Sequence, residues 1–88
     1  MFQLWGKIFK QNHLLKDHVV CDDSKDSRTA KVFHSLTALC REFDLAEPIW
    51  LDMNIRDFQR RSKTRFTSDN FIEAIDFDCL EIQVIEED

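Results

Sequence analysis

The chain has 88 residues, 43% of them hydrophobic and 33% charged, with a formal net charge of −5. That composition suits one compact domain, 1–88, with a thin core, and it argues against disorder of the whole chain. The only glycine, Gly6, rules out the G-x-G-x-x-G and P-loop cradles for phosphate, and nothing in the chain approaches the roughly 20 apolar residues of a membrane span.

The charges are divided by position. All 12 Lys and Arg lie at or before Arg65, so residues 1–65 sum to +3 (12 basic, 9 acidic), while residues 66–88 hold eight acids and no base. Such asymmetry marks an anion-binding surface, a partner-docking surface, or two segments of one fold held against each other. Cys21, Cys40 and Cys79 form no C-x-x-C pair and leave an odd thiol, which fits a reducing compartment. The start Met-Phe-Gln-Leu-Trp-Gly-Lys does not build a signal sequence, and the expectation is a soluble cytoplasmic protein without a membrane partner.

In chain order, residues 2–9 alternate. Phe2, Leu4, Gly6 and Ile8 share one face, while Gln3, Trp5, Lys7 and Phe9 share the other, predicting a strand packed on both faces. Gln11-Asn12 reads as a tight turn into a second strand over 13–21, making an N-terminal β-hairpin. The polar run 22–27 breaks the pattern, with Asp26 or Ser27 placed to cap a helix. Val32, Phe33, Leu36, Leu39, Cys40 and Phe43 then form the apolar stripe of one main amphipathic helix, about 28–43. Pro48 ends the connection after it. Asn54 as cap, with Asp57 three residues on and Met53 against Phe58 as a hydrophobic staple, predicts a short second helix, about 55–62. Residues 64–67 read as extended, Ser68 as the cap of a short helical stretch through Ile75, and 78–87 as a C-terminal strand with one wet face. The fold class expected is α+β, with the helices packed on one face of a mainly antiparallel sheet.

The candidate binding residues are Arg56, Arg60, Arg61, Lys63 and Arg65, all within ten residues, together with Trp50. On a helix Arg56 and Arg60 share a face and Arg61 follows about 100° further round. Lys63 and Arg65 extend the patch along the next segment. Guanidinium forks suit phosphate or carboxylate, Arg and Trp together are typical of interface hot spots, and Phe66, if exposed, offers a stacking surface. The competing reading is a solvated basic face paired with the acidic end of the chain. Trp5, between Gln3 and Lys7, is the aromatic expected to be partly exposed.

No catalytic constellation emerges. Cys40 and His34 lie six apart and point to different faces of one helix. His18 and Cys21 face opposite sides of a strand, which defeats a metal site with His13. Asp22, Asp23 and Asp26 lack the glycine and closing glutamate of a calcium loop. Asp76, Asp78 and Glu81 read as exposed acids flanking an edge strand, where they deter edge-to-edge pairing. No enzyme activity, metal or cofactor is therefore expected.

The strings Leu4-Trp5-Gly6-Lys7-Ile8, Pro48-Ile49-Trp50-Leu51-Asp52, Ser62-Lys63-Thr64-Arg65-Phe66 and Asp76-Phe77-Asp78 through Glu86-Glu87-Asp88 together resemble a group of small proteins of Gram-positive bacteria. The likeness runs over nearly the whole chain. It implies a bacterial cytoplasmic single domain and carries over no activity and no functional residue. The function expected is a non-enzymatic protein-interaction or regulatory module using the basic and aromatic surface around residues 50–66. Weak binding of RNA or a phosphorylated ligand through the same arginines is the alternative, with nucleic acid the less favoured partner. A monomer or weak homodimer is expected, the dimer pairing 78–87 edge to edge against its acidic charge.

Overall fold

The computed structural model describes residues 1–87. Strands β1 (Phe2–Lys10) and β2 (His13–Asp22) form the expected hairpin, followed by helices α1 (Arg28–Glu42) and α2 (Asp52–Arg61), strand β3 (Lys63–Phe66), a 3-10 turn (Ser68–Asn70) and strand β4 (Cys79–Glu86). The four strands make one antiparallel sheet in the order β2-β1-β4-β3, with the helices on one face. The α+β architecture read from the sequence is the one observed.

Local chemistry accounts for most boundaries. Gln11 and Asn12 adopt φ of 52° and 65°, the left-handed pair that a two-residue type I′ hairpin turn demands. The Asp22 side chain accepts from the Ser24 N–H, and the Ser27 hydroxyl accepts from the Ala30 N–H to cap α1. At the far end of α1, Asp44 takes φ of 56° and the Leu45 N–H returns to the Cys40 carbonyl, turning the chain out of the helix.

Four expectations are corrected. Helix α2 begins at Asp52 rather than Ile55, and Asn54 is its third residue rather than its cap. Leu51 has no side-chain acceptor to offer, so Asn54 Oδ1 reaches back to the Leu51 N–H at 3.0 Å. The buried Asn54 amide also donates to Thr64 Oγ1 and to the Arg65 carbonyl, and Asn70 donates to Asn54 Oδ1 at 2.7 Å. Asn54 thus ties α2 to β3 and to the 3-10 turn. The Met53–Phe58 staple does not form as expected, since Phe58 is buried while Met53 is 61% exposed. Thr67, not Ser68, caps the short turn, which ends at Asn70 rather than running on to Ile75.

The fourth correction concerns the last strand. β4 pairs with β1 on one side and, over Leu80–Gln83, with β3 on the other, so it is an interior strand of the sheet rather than an edge. β2 forms one edge of the sheet and β3 the other, where Asn54 occupies the Arg65 carbonyl.

The core lies between the sheet and the helices. Leu4, Ile8, Phe66, Leu80 and Ile82 from the sheet meet Val32, Leu36, Leu39 and Phe43 of the first-helix segment. Gly6 sits in this layer between His18 and Ile82. A Cβ built there lies 2.9 Å from both δ-carbons of Leu39, so the missing side chain is what lets α1 approach the sheet. Among the described residues no helix is long and apolar enough to cross a membrane.

Candidate functional site

The opposite sheet face carries no helix, and the antiparallel register lines up its side chains in rows. One row runs Asp17, Lys7, Glu81, Arg65 across β2, β1, β4 and β3, alternating in charge at every strand. Glu81 is 4% exposed. Its carboxylate accepts from Lys7 Nζ at 2.7 Å and from Arg65 Nε at 2.9 Å. Burial is the largest single influence on this carboxyl and opposes ionisation, but the hydrogen bonds and charges of Lys7 and Arg65 together outweigh it and hold Glu81 below the usual glutamate range. Lys7 also lies 3.9 Å from the Trp5 ring centroid, and the half-buried Trp5 donates through Nε1 to Asp17 at 2.8 Å. The acids of the last strand are therefore not simply exposed gatekeepers. Glu81 is buried in the middle of the sheet, and Asp78 accepts from the Gln11 N–H at the hairpin turn.

The basic cluster does not form one patch. On α2, Met53, Asp57 and Arg61 follow one helical row, Ile55 and Gln59 another, and Arg56 and Arg60 stand on the outward ridge between them. Arg56 and Arg60 are exposed and make no ion pair among the described residues. Arg61 is 3.5 Å from Asp57. Lys63 and Arg65 point to the uncovered sheet face, in register with Gln83 and Glu81. Arg61, Lys63 and Arg65 line one cavity of about 430 Å³, joined by Met53, Asp57 and Glu81.

Trp50 belongs to a different place. It meets Phe33, Phe58 and Phe66 edge-on at 5.1–5.8 Å between ring centroids, and its Nε1 is buried without a hydrogen-bond partner among the described residues. Phe66, considered above as a stacking surface, is fully buried. With Val32 and Phe58, Trp50 lines an apolar groove of about 310 Å³ between α1 and α2, flanked by Phe33, Ile55 and Arg28. Phe33 and Ile55 are 48% and 44% exposed, and Ile49, Leu51 and Met53 are also exposed in the segment leading into α2. Periodicity assigned Phe33 to the apolar stripe of the main helix. The helices separate enough at this end to leave it and Ile55 on the banks of the groove.

The remaining candidates lie apart from one another. Burial, with a smaller contribution from Glu47, pushes the Cys40 thiol up to about 11, so it is protonated at neutral pH. Cys79 is raised by burial as well. The strand register places His18 opposite Gly6 on the helix-covered face and Cys21 opposite Gln3 on the other. No group of three His, Cys, Asp or Glu converges among the described residues. No family model, curated protein or solved structure matches the chain.

Proposed function

We propose that this domain is a non-enzymatic protein-interaction module whose docking surface is the α1–α2 groove and the arginine ridge beside it. The observation that carries this reading is the pairing of exposed Phe33 and Ile55 with an apolar floor of Val32, Trp50 and Phe58. Desolvated aromatic pockets bordered by arginine concentrate binding energy in protein interfaces. Among the described residues no acid lines the groove, and Arg56 and Arg60 stand beside it without ion-pair partners. The complementary ligand is an amphipathic protein segment that inserts apolar side chains between the helices and lays carboxylates against the ridge. A reducing, cytoplasmic setting fits the three free thiols.

Selection from a random peptide display library tests the reading. Enriched sequences are expected to combine spaced apolar anchors with Asp or Glu, to lose binding on Phe33→Asp or Ile55→Asp, and to weaken by about tenfold on the double substitution Arg56→Gln/Arg60→Gln. Absence of enrichment, or binders indifferent to Phe33→Asp and Ile55→Asp, overturns it.

A further inference from the structure

We infer that the cavity between α2 and β3 is a binding site for a phosphate monoester, distinct from the α1–α2 groove. Three cations reach it from two elements: Arg61 from the last turn of α2, and Lys63 and Arg65 from β3. Each is available in a different way. Arg65 is fixed through Nε by the buried Glu81, which leaves both terminal nitrogens of its guanidinium without a hydrogen-bond partner among the described residues. Lys63 is half-buried and makes no hydrogen bond or ion pair among the described residues. Arg61 has only the long 3.5 Å contact with Asp57, made through one nitrogen.

The number of donors favours a phosphate over a carboxylate. Arg61, Lys63 and Arg65 face two carboxylates, Asp57 and Glu81, and Lys7 meets Glu81 from outside the cavity, so the lining is net positive and presents three cationic side chains. A phosphate monoester carries about −1.5 to −2 at neutral pH and three acceptor oxygens, whereas a carboxylate brings one charge and two. Glu81 is the positioning residue. By holding Arg65 from the inner side it aims the free edge of the guanidinium outward, and Lys7 on its other side offsets its charge. Met53, 61% exposed at the rim, supplies an apolar wall for whatever bears the phosphate.

Amide NMR titration of the whole chain tests the site with inorganic phosphate, a phosphoserine peptide and its unphosphorylated counterpart. Phosphate and the phosphopeptide are expected to shift the amides of residues 61–67, and the unphosphorylated peptide to leave them unmoved. Lys63→Gln removes no observed contact and is expected to weaken binding about tenfold. Arg65→Gln does the same, while Arg56→Gln/Arg60→Gln changes affinity less than about twofold because those arginines lie outside the cavity. A phosphopeptide at least about tenfold tighter than phosphate identifies a phosphorylated partner protein as the source, and equal affinities identify a small phosphorylated molecule. Either supports the site. Silence of residues 61–67, shifts that survive Lys63→Gln, or preference for single-stranded RNA with a salt dependence of several phosphate contacts overturns it. Phe33→Asp separates the two proposals, since it abolishes peptide docking in the groove and leaves phosphate binding intact.

Discussion

On the helix-covered face of the sheet Leu80 and Ile82 bury completely against the apolar stripe of α1 and its neighbours, whereas between them on the other face Glu81 is nearly as buried with no layer above it. The covered face excludes water with a second element. The uncovered face does so with its own side chains, the Lys7 ammonium lying over Trp5, Arg65 near Phe9, and Glu81 beneath two cations. The two solutions differ in what they leave available. Apolar burial ends in contact, while the charged row leaves unused donors at its β3 end, and there the phosphate site is proposed.

Substitutions on the two faces should separate these solutions. The largest effect is expected for Leu80→Ala, which opens a cavity under the helices and costs about 2–5 kcal/mol in urea unfolding, independent of pH. For a domain of this size that is a large part of the total stability. Glu81→Gln, one residue along and on the other face, costs about 1.5–3 kcal/mol at neutral pH by leaving Lys7 without its counter-ion. Its pH dependence is the sharper signature. The folded carboxyl titrates below the ordinary glutamate value of 4.5, so its stabilisation is present above that value and is lost as pH falls through the lower folded value. The stability gap between the native protein and Glu81→Gln therefore closes as pH falls below the ordinary glutamate value of 4.5, while the Leu80→Ala gap does not. A gap that stays constant would show the uncovered face to be held by packing alone.

A smaller loss, about 1–3 kcal/mol, is expected for Gly6→Ala, whose methyl meets the fully buried Leu39 and forces α1 off the sheet. Its cost should not change with pH, which assigns it to the covered face. The smallest effect is a gain. Gln11→Asn places a residue tolerant of the left-handed region at φ 52° and stabilises the hairpin by about 0.5–1 kcal/mol without touching either face. Thermal unfolding of the double variant Gln11→Asn/Glu81→Gln should show the two effects adding, since the turn and the charged row share no side-chain partner.

The elements themselves were legible because their signals are local. The two-residue alternation in β1, the apolar spacing in α1, the serine cap and the Asn-containing turn each act within a few residues, and the structure contains all of them. Legibility failed where a side chain's role depends on a distant partner. Asn54 looked like a cap because caps and buried amide bridges use the same side chain, and only β3 and Asn70 decide between them. Glu81 looked like a wet acid because nothing near it in sequence shows that Lys7 is its neighbour. Of the candidate site, Arg61, Lys63 and Arg65 were visible as a run of cations, but the helical twist of α2 turns Arg56 and Arg60 away from them, and Trp50 lies in another cavity.

The charge split between residues 1–65 and 66–88 shows the same division of labour. Composition and periodicity determined an α+β domain, its hairpin and main helix, and a reserve of basic residues ahead of an acidic strand, since these follow from propensity and spacing along the chain. Insertion of β4 between β1 and β3 was decided only in the tertiary structure, because strand order and register join residues more than 70 positions apart. That placement sets Glu81 of the acidic segment between Lys7 and Arg65 of the basic one, spends part of the asymmetry inside the fold, and leaves the remaining cations on two separate surfaces.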